Sequence, residues 1–425
     1  MRQVGVQVAV VGGGPAGLAA AGECQTAGAR VLLLEERPVL GGRAVIVPGA
    51  RGLAEGLMRD LRAVDVWRSS AVWGIWGRTL AVLREGRPHT VTADAVILAT
   101  GGVEVITPFP GWSLDGVMTV EAAWEVVRAG RVGPSSGPAV VVGGPEAGTL
   151  ATRLSERGTP VTLVAAERPK GVPESVPAIS GVLAGARGDG AIEQVLLADG
   201  AAHECRMLCI ESPRIPLIDL ARLAGAPCVY HPLLGGFVPR YDRTMALHGP
   251  TPALHIAGDA GGVDTPRAAA ESGRLAARSA LHTLKILPDA EARIEESWRQ
   301  LRAASVPLRA RARESLVIGA NPDDVVEEWN GPPDTIVCPC NGVTVGVLRA
   351  AVDAGARSPD DLKRVTRCGM GWCQWRRCGV AAMRWLSGTL AVPVGRLPLP
   401  RVRPPLRPIP VSAFAEFEEG TGGPG

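Results

Sequence analysis

The stretch VAVVGGGPAGLAAAGECQTAGARVLLLE, residues 8 to 35, constrains the fold more than any other. Val6 to Val11 is largely apolar and β-branched, as a strand buried on both faces must be. It runs into Gly12-Gly13-Gly14-Pro15-Ala16-Gly17, then a good helix former that ends near Gly28, then a second apolar strand closed by Glu35. Strand, glycine turn, helix, strand and terminal acid is the order of a dinucleotide-binding βαβ unit. Gly12 makes the tight turn, Gly14 lets backbone approach a pyrophosphate, and Gly17 allows close helix packing. The helix N-terminus, entered through Pro15 and Ala16, offers free N–H groups to the phosphates. Glu35 is positioned to take ribose hydroxyls.

Residues 137 to 169, GPAVVVGGPEAGTLATRLSERGTPVTLVAAERP, repeat strand, turn, helix and strand. Here Pro145 stands where the middle glycine of the fingerprint is expected, and proline brings a ring and no N–H. The second strand ends Val164-Ala165-Ala166 without an acid at its tip. This half is therefore expected to be a degenerate nucleotide fold, kept for packing or for a second nucleotide, ATP or NAD. No CxxC lies in it, which argues against a reductase dithiol.

Five of the nine cysteines fall between residues 338 and 378. Cys338-Pro339-Cys340 puts two thiols on one loop. VTVGVLRAAVDAG and SPDDLKRVTRCG read as two helices, the second with Ser358 as N-cap. The chain then returns with Cys368, Cys373 and Cys378. Two cysteine loops joined by a helical pair form a metal-site pattern, with Cys338, Cys340, Cys373 and Cys378 as ligands and Cys368 as a substitute. Zinc sites commonly pair CxxC loops across 15 to 20 residues; this spacer is about twice that, which leaves zinc and iron–sulfur both open. Cys24, Cys205, Cys209 and Cys228 lie among apolar neighbours and read as buried structural thiols.

A chain of 425 residues with 46% hydrophobic and 20% charged residues is a soluble globular composition of two or three domains. A net charge of +3 gives no reason to expect nucleic acid as partner. The RARARE run at 309 to 314 reads as a solvated helix face. The N-terminus lacks a positive region and cleavage site and is too short to span a bilayer, so a cytoplasmic location is expected, with cysteines serving metal or redox roles.

The strand ADAVILATGG (93 to 102) and the later PALHIAGDAGG (252 to 262) resemble segments that flank FAD in two-dinucleotide-domain flavoproteins. That resemblance implies FAD contacts from Ala99, Thr100, Gly101, Gly258 and Asp259, with Asp259 on the ribityl chain, and from Gly42 and Arg43. The helix starting near Pro266 would aim its positive end at the flavin. The cysteine-rich segment resembles the [2Fe-2S] domain of bacterioferritin-associated ferredoxin, although Cys373 and Cys378 are separated by four residues rather than two.

Four motifs in order extend the likeness: TPFPGWSLDGVMTVEAAW (107 to 124), GGFVPRYDRTM (235 to 245), GMGWCQWRRCG (369 to 379) and RPPLRPIPVSAFA (403 to 415). With them the chain resembles the FAD-binding alpha subunits of heteromeric amino-acid and opine dehydrogenases. These include the alpha subunits of D-hydroxyproline and L-proline dehydrogenases, the A-subunit of opine oxidase and the B-subunit of hydrogen cyanide synthase. Arg43 and Trp124 replace glutamines of the family pattern, and the segment after Gly42 looks shortened.

The resemblance implies an α/β flavoprotein with an FAD domain (1–105 and 246–285) interrupted by a degenerate dinucleotide domain (106–245). A helical linker (286–330), a [2Fe-2S] domain (331–390) and a proline-rich C-terminal arm (391–425) would follow. The family's division of labour gives substrate oxidation to an amino-acid-oxidase-type beta subunit, in some cases with a small gamma subunit, and electron transfer to this chain. No catalytic constellation is visible in the sequence. The rival readings are a self-sufficient NAD(P)H-dependent reductase of a ferredoxin-like acceptor and a non-catalytic scaffold. The arm, punctuated by arginines, is expected to lie along a partner, with packing on its own domain as the alternative.

Overall fold

The computed structural model describes residues 2–413 apart from 47, 264, 288, 308–309, 314–328 and 330. The chain divides into two compact units, each discontinuous. Residues 1–103, 215–323 and 401–425 form the first; 104–214 and 324–400 form the second.

In the first unit, β1 (Arg2–Val11), β2 (Val31–Leu34), β3 (Asp65–Trp67), β4 (Ser70–Trp76), β5 (Thr79–Arg84) and β6 (Arg87–Leu98) form a sheet in the order β3-β2-β1-β6-β5-β4. The strand Leu254–Ile256 joins it in parallel beside β6. β1 pairs in parallel with β2 and β6, while β4, β5 and β6 run antiparallel. The apolar run of β1 explains its place: Val8, Ala9 and Val10 are fully buried, as befits a strand covered on both faces. Helix α1 (Pro15–Thr26) follows the glycine turn and packs on the helix Pro266–Thr283. That contact is backbone-close, since a Cβ on Gly273 would stand 2.0 Å from the Ala16 carbonyl oxygen.

The second unit contains a five-stranded parallel sheet ordered Ala178–Ile179, Val161–Val164, Ala139–Val142, Met207–Ile210 and Val117–Thr119. Its C-terminal part carries, among the described residues, the helices Val345–Asp353, Pro359–Thr366 and Gly379–Leu390. Ser358 caps the second of these as its sequence indicates, in a reciprocal capping box with Asp361. The architecture is the expected α/β two-dinucleotide-domain fold with a small helical C-terminal module.

Two expectations are corrected. Of the RARARE run the described residues are 310–313, and Arg313 is 1% exposed, donating to Ser305 Oγ at 2.8 Å; this arginine is a buried group rather than part of a solvated face. The C-terminal arm packs on its own chain where it is described. Val394, Leu397 and Leu406 are buried, the Leu406 amide donates to the Trp73 carbonyl at 2.8 Å, and Arg407 pairs with Glu36 at 2.9 Å. Burial of three apolar side chains, each supplying up to about 1.5–3 kcal/mol, decides the arm's course.

His255, on the strand Leu254–Ile256, is 1% exposed and shares a 3.0 Å hydrogen bond with Ser279 Oγ. Burial pushes its pKa down from 6.5 to about 4. As the pH falls from about 6.5 to about 4, the unfolded chain takes up a proton that the folded chain refuses, so stability is lost across that window. The expected loss is on the order of 3 kcal/mol. Urea unfolding followed at pH 7 and pH 5 should show a drop that shrinks in His255→Gln protein; an unchanged drop would contradict this.

Candidate functional site

The sequence-marked residues of the first unit converge at the C-terminal end of β1. A Cβ on Gly12 would lie 2.2 Å from the Ala99 carbonyl oxygen, and one on Gly17 would lie 1.8 Å from that of Gly12. Gly12 has φ +110, which favours glycine, and Ala99 donates its amide to the Val11 carbonyl at 2.8 Å. A Cβ on Gly42 would stand 3.0 Å from the Gly14 Cα, and one on Gly258 would stand 2.9 Å from the Ala16 methyl. By contrast, Gly14 and Gly101 face open space. Pro15 starts α1, and no side chain caps that helix. The result is a glycine-lined cradle with uncapped amides, which fits a pyrophosphate.

Around it, Thr100 Oγ1 donates to the Leu217 carbonyl at 2.7 Å. Arg43 lies half-buried in the 3-10 turn Gly42–Val45, and Asp259 lies in the turn Gly258–Gly261. The Gly258 amide donates to Ser272 Oγ at 2.8 Å, an anchor that no local sequence pattern marks. Glu35 is buried at the tip of β2. Its Oε2 accepts from the Gly13 amide at 2.6 Å and its Oε1 from the Arg37 amide at 2.7 Å. Burial raises its pKa, opposed by those two backbone donors.

The middle fold carries the same parts with one difference. Its helix, Pro145–Glu156, also begins with proline after a glycine N-cap. Pro145 therefore occupies the first helical position, as Pro15 does, where a missing N–H costs nothing. The obstacle is Glu211, whose Oε2 accepts from the Gly144 and Ala147 amides, both at 2.9 Å. A carboxylate of the chain already holds the amides a pyrophosphate would need. Replacing Glu211 by alanine removes this cap, with an expected cost of about 1 kcal/mol in unfolding experiments. Calorimetry should then show tighter NADH binding in Glu211→Ala than in the parent protein; equal affinity would contradict the assignment.

In the second unit all five late cysteines gather. The sulfurs of Cys338, Cys368 and Cys378 lie within 4.8 Å of one another, and all three residues are buried. Cys373 contacts Cys378 and Cys340, which is half-buried. The loop 369–373 can sit this close because residue 371 is glycine: a Cβ there would stand 2.4 Å from that of Cys340. Hydrogen bonds from Cys368 and Cys378 hold the Cys338 pKa down to about 2, and Cys378 lowers Cys373 to about 5. Cys368 and Cys378 are pushed up in exchange by Cys338. Thiols gathered this closely suit a metal, whose binding displaces their protons and takes the sulfurs as thiolates. Trp112 Nε1 donates at 2.5 Å to the Ile336 carbonyl, on the strand that leads into Cys338. A cavity of about 400 Å³, lined in part by Trp112, Asp115, Pro339 and Arg377, opens beside this loop.

Of the other four cysteines, Cys24, Cys205 and Cys209 are buried as expected, while Cys228 is half-buried. Burial raises Cys24, Cys209 and Cys228 to about 12 and Cys205 to about 11.

Comparison with known proteins fits this geometry. Residues 6–185 match the pyridine nucleotide-disulphide oxidoreductase family, and residues 336–387 match the BFD-like [2Fe-2S] binding domain. The chain is 30% identical to the opine oxidase A-subunit of Agrobacterium tumefaciens over 96% of its own length and 91% of that protein's. It is 29% identical to hydrogen cyanide synthase subunit HcnB of Pseudomonas aeruginosa, over 95% and 97% of the two chains. Among solved structures, L-proline dehydrogenase from P. horikoshii superposes with a TM-score of 0.77 at 23% identity, covering 97% of this chain and 80% of that one. FAD and a [2Fe-2S] cluster are thus the cofactors. FAD takes up electrons in pairs and a cluster carries them singly.

Proposed function

The chain belongs to the family of the opine oxidase A-subunit, and from that premise we propose that it is the electron-relay member of a multisubunit amino-acid or amine dehydrogenase. It is an FAD-dependent oxidoreductase with a [2Fe-2S] domain. In the proposed division, an amino-acid-oxidase-type beta subunit, with or without a small gamma subunit, oxidises a proline-, hydroxyproline- or opine-type C–N bond. Gly12, Gly14, Pro15, Ala16 and Gly17 cradle the FAD pyrophosphate. Glu35, Gly42, Arg43, Ala99, Thr100, Gly101, Gly258 and Asp259 surround the rest of that cofactor. Cys338, Cys340, Cys373 and Cys378 hold the cluster, with Cys368, whose sulfur lies within 4.8 Å of those of Cys338 and Cys378, as the substitute ligand. Nine free cysteines suit a reducing compartment, and we place the protein in the cytoplasm. Among the described residues, no helix is long and apolar enough to cross a membrane.

The observation that carries the relay reading is the contrast between the two glycine turns. One has open amides for FAD; the other has its amides taken by Glu211. A self-sufficient NAD(P)H reductase needs the second turn open. The test is anaerobic addition of NADH or NADPH to protein carrying both cofactors. Unbleached flavin and cluster bands are expected, whereas bleaching within seconds would favour the reductase.

A further inference from the structure

We infer that the stretch from Arg364, in the last turn of the helix Pro359–Thr366, to Arg377 is a docking surface for an acidic one-electron carrier protein. Residues 336–387 carry eight basic and three acidic side chains, so this segment alone is more positive than the entire chain, whose net charge is +3. From Leu362 to Leu390 there are six basic residues and no acid. The stretch also exposes apolar groups that a soluble surface normally covers: Met370 is 54% exposed and Trp372 is 67% exposed. Arg364, Arg367 and Arg377 are exposed on the same stretch. Arg364 meets only Asp361, at 3.5 Å, among the ion pairs of the described residues.

The stretch lies on the sulfur cluster. It carries Cys368 and Cys373, its Gly369 amide donates to Cys338 Sγ at 3.5 Å, and Gly371 is pressed against Cys340. Tight turns from Arg367 to Met370 and from Gly371 to Gln374 hold its shape. Tryptophan, methionine and arginine together are the residues enriched at protein interfaces. A basic rim around such anchors selects an acidic partner and speeds its arrival. The positive charge is confined to this module of an otherwise nearly neutral chain, which favours a small protein over nucleic acid.

The inference rests on the relay reading and names where its electrons leave. A [2Fe-2S] cluster held by these cysteines would supply the carrier one electron at a time, itself oxidised as the carrier is reduced, with no bond or proton moved.

The experiment uses the full chain loaded with FAD and cluster. Its binding to a plant-type [2Fe-2S] ferredoxin, an acidic probe, is followed by interferometry at about 20 mM and about 300 mM salt. A basic c-type cytochrome and phosphatidylglycerol vesicles serve as controls. The expected result is ferredoxin binding that weakens about tenfold at the higher salt and by about tenfold again in Arg364→Glu/Arg377→Glu or Trp372→Ala protein. Flavin and cluster absorbance should be unchanged in each variant. Arg364→Glu alone, altering a side chain 73% exposed, serves if another variant loses its cluster. Ferredoxin binding no tighter than the cytochrome's, binding unaffected by the substitutions, or binding to vesicles alone would overturn the inference. The relay reading fails separately, if the cluster stays oxidised while a partner turns over its substrate.

Discussion

Cys338→Ser protein, reconstituted anaerobically, should lose the visible absorbance of the cluster completely and keep FAD at full occupancy. Cys338 is the member of the sulfur group whose pKa falls furthest, to about 2, because hydrogen bonds from Cys368 and Cys378 stabilise its thiolate. It is also fully buried, so a serine hydroxyl there would replace a soft ligand with a hard one in a site built from thiols. Cys368→Ser should retain the cluster, because the four remaining cysteines supply two from the CxC loop and two from the return loop. Iron and sulfide analysis with the visible spectrum distinguishes the outcomes. If Cys368→Ser abolishes the cluster and Cys340→Ser does not, Cys368 is a ligand in place of Cys340. Zinc bound at one equivalent without iron would contradict the cluster assignment itself.

Gly14→Asp should weaken FAD binding by roughly 100-fold without destabilising the apoprotein. Gly14 is the N-cap of α1, with an ordinary φ of −76, and a side chain there meets nothing within 4 Å. Aspartate is a favourable N-cap, contributing about 0.5–2 kcal/mol to the helix. It would also take the amides intended for a pyrophosphate and set a negative charge beside it; each charge-assisted hydrogen bond lost is worth about 1.5–3 kcal/mol. This substitution gives the first turn the carboxylate plug that Glu211 gives the second. Fluorescence titration with FAD and a thermal melt of the apoprotein form the check. A variant that binds FAD as the parent does would show that the pyrophosphate does not rest on α1.

Local signals are legible in the sequence. The apolar run of β1, the glycine turn, the start of the helix at Pro266 and the Ser358 cap all follow from residues within a few positions of each other. So does the gathering of the late cysteines, because two helices between short loops must bring their ends together. Other features depend on contacts distant in sequence. Glu211 lies more than sixty residues from the amides it caps, and no local pattern marks it. Pro145 reads as a damaged glycine, yet it repeats the role of Pro15. The close approach of Gly273 to Ala16 has no local marker either, since the two lie far apart in the sequence. Composition alone points Arg313 to solvent and the C-terminal arm to a partner, while their burial is decided by neighbours elsewhere in the chain.

The central claim is that electrons from a partner's amine oxidation reach the cluster of this chain. Its most direct test is electron paramagnetic resonance of the complete complex, frozen anaerobically within one turnover of adding the amine substrate. The account predicts a reduced [2Fe-2S] signal that disappears in complexes carrying Cys338→Ser. A partner flavin that is fully reduced beside a cluster that stays silent would contradict it.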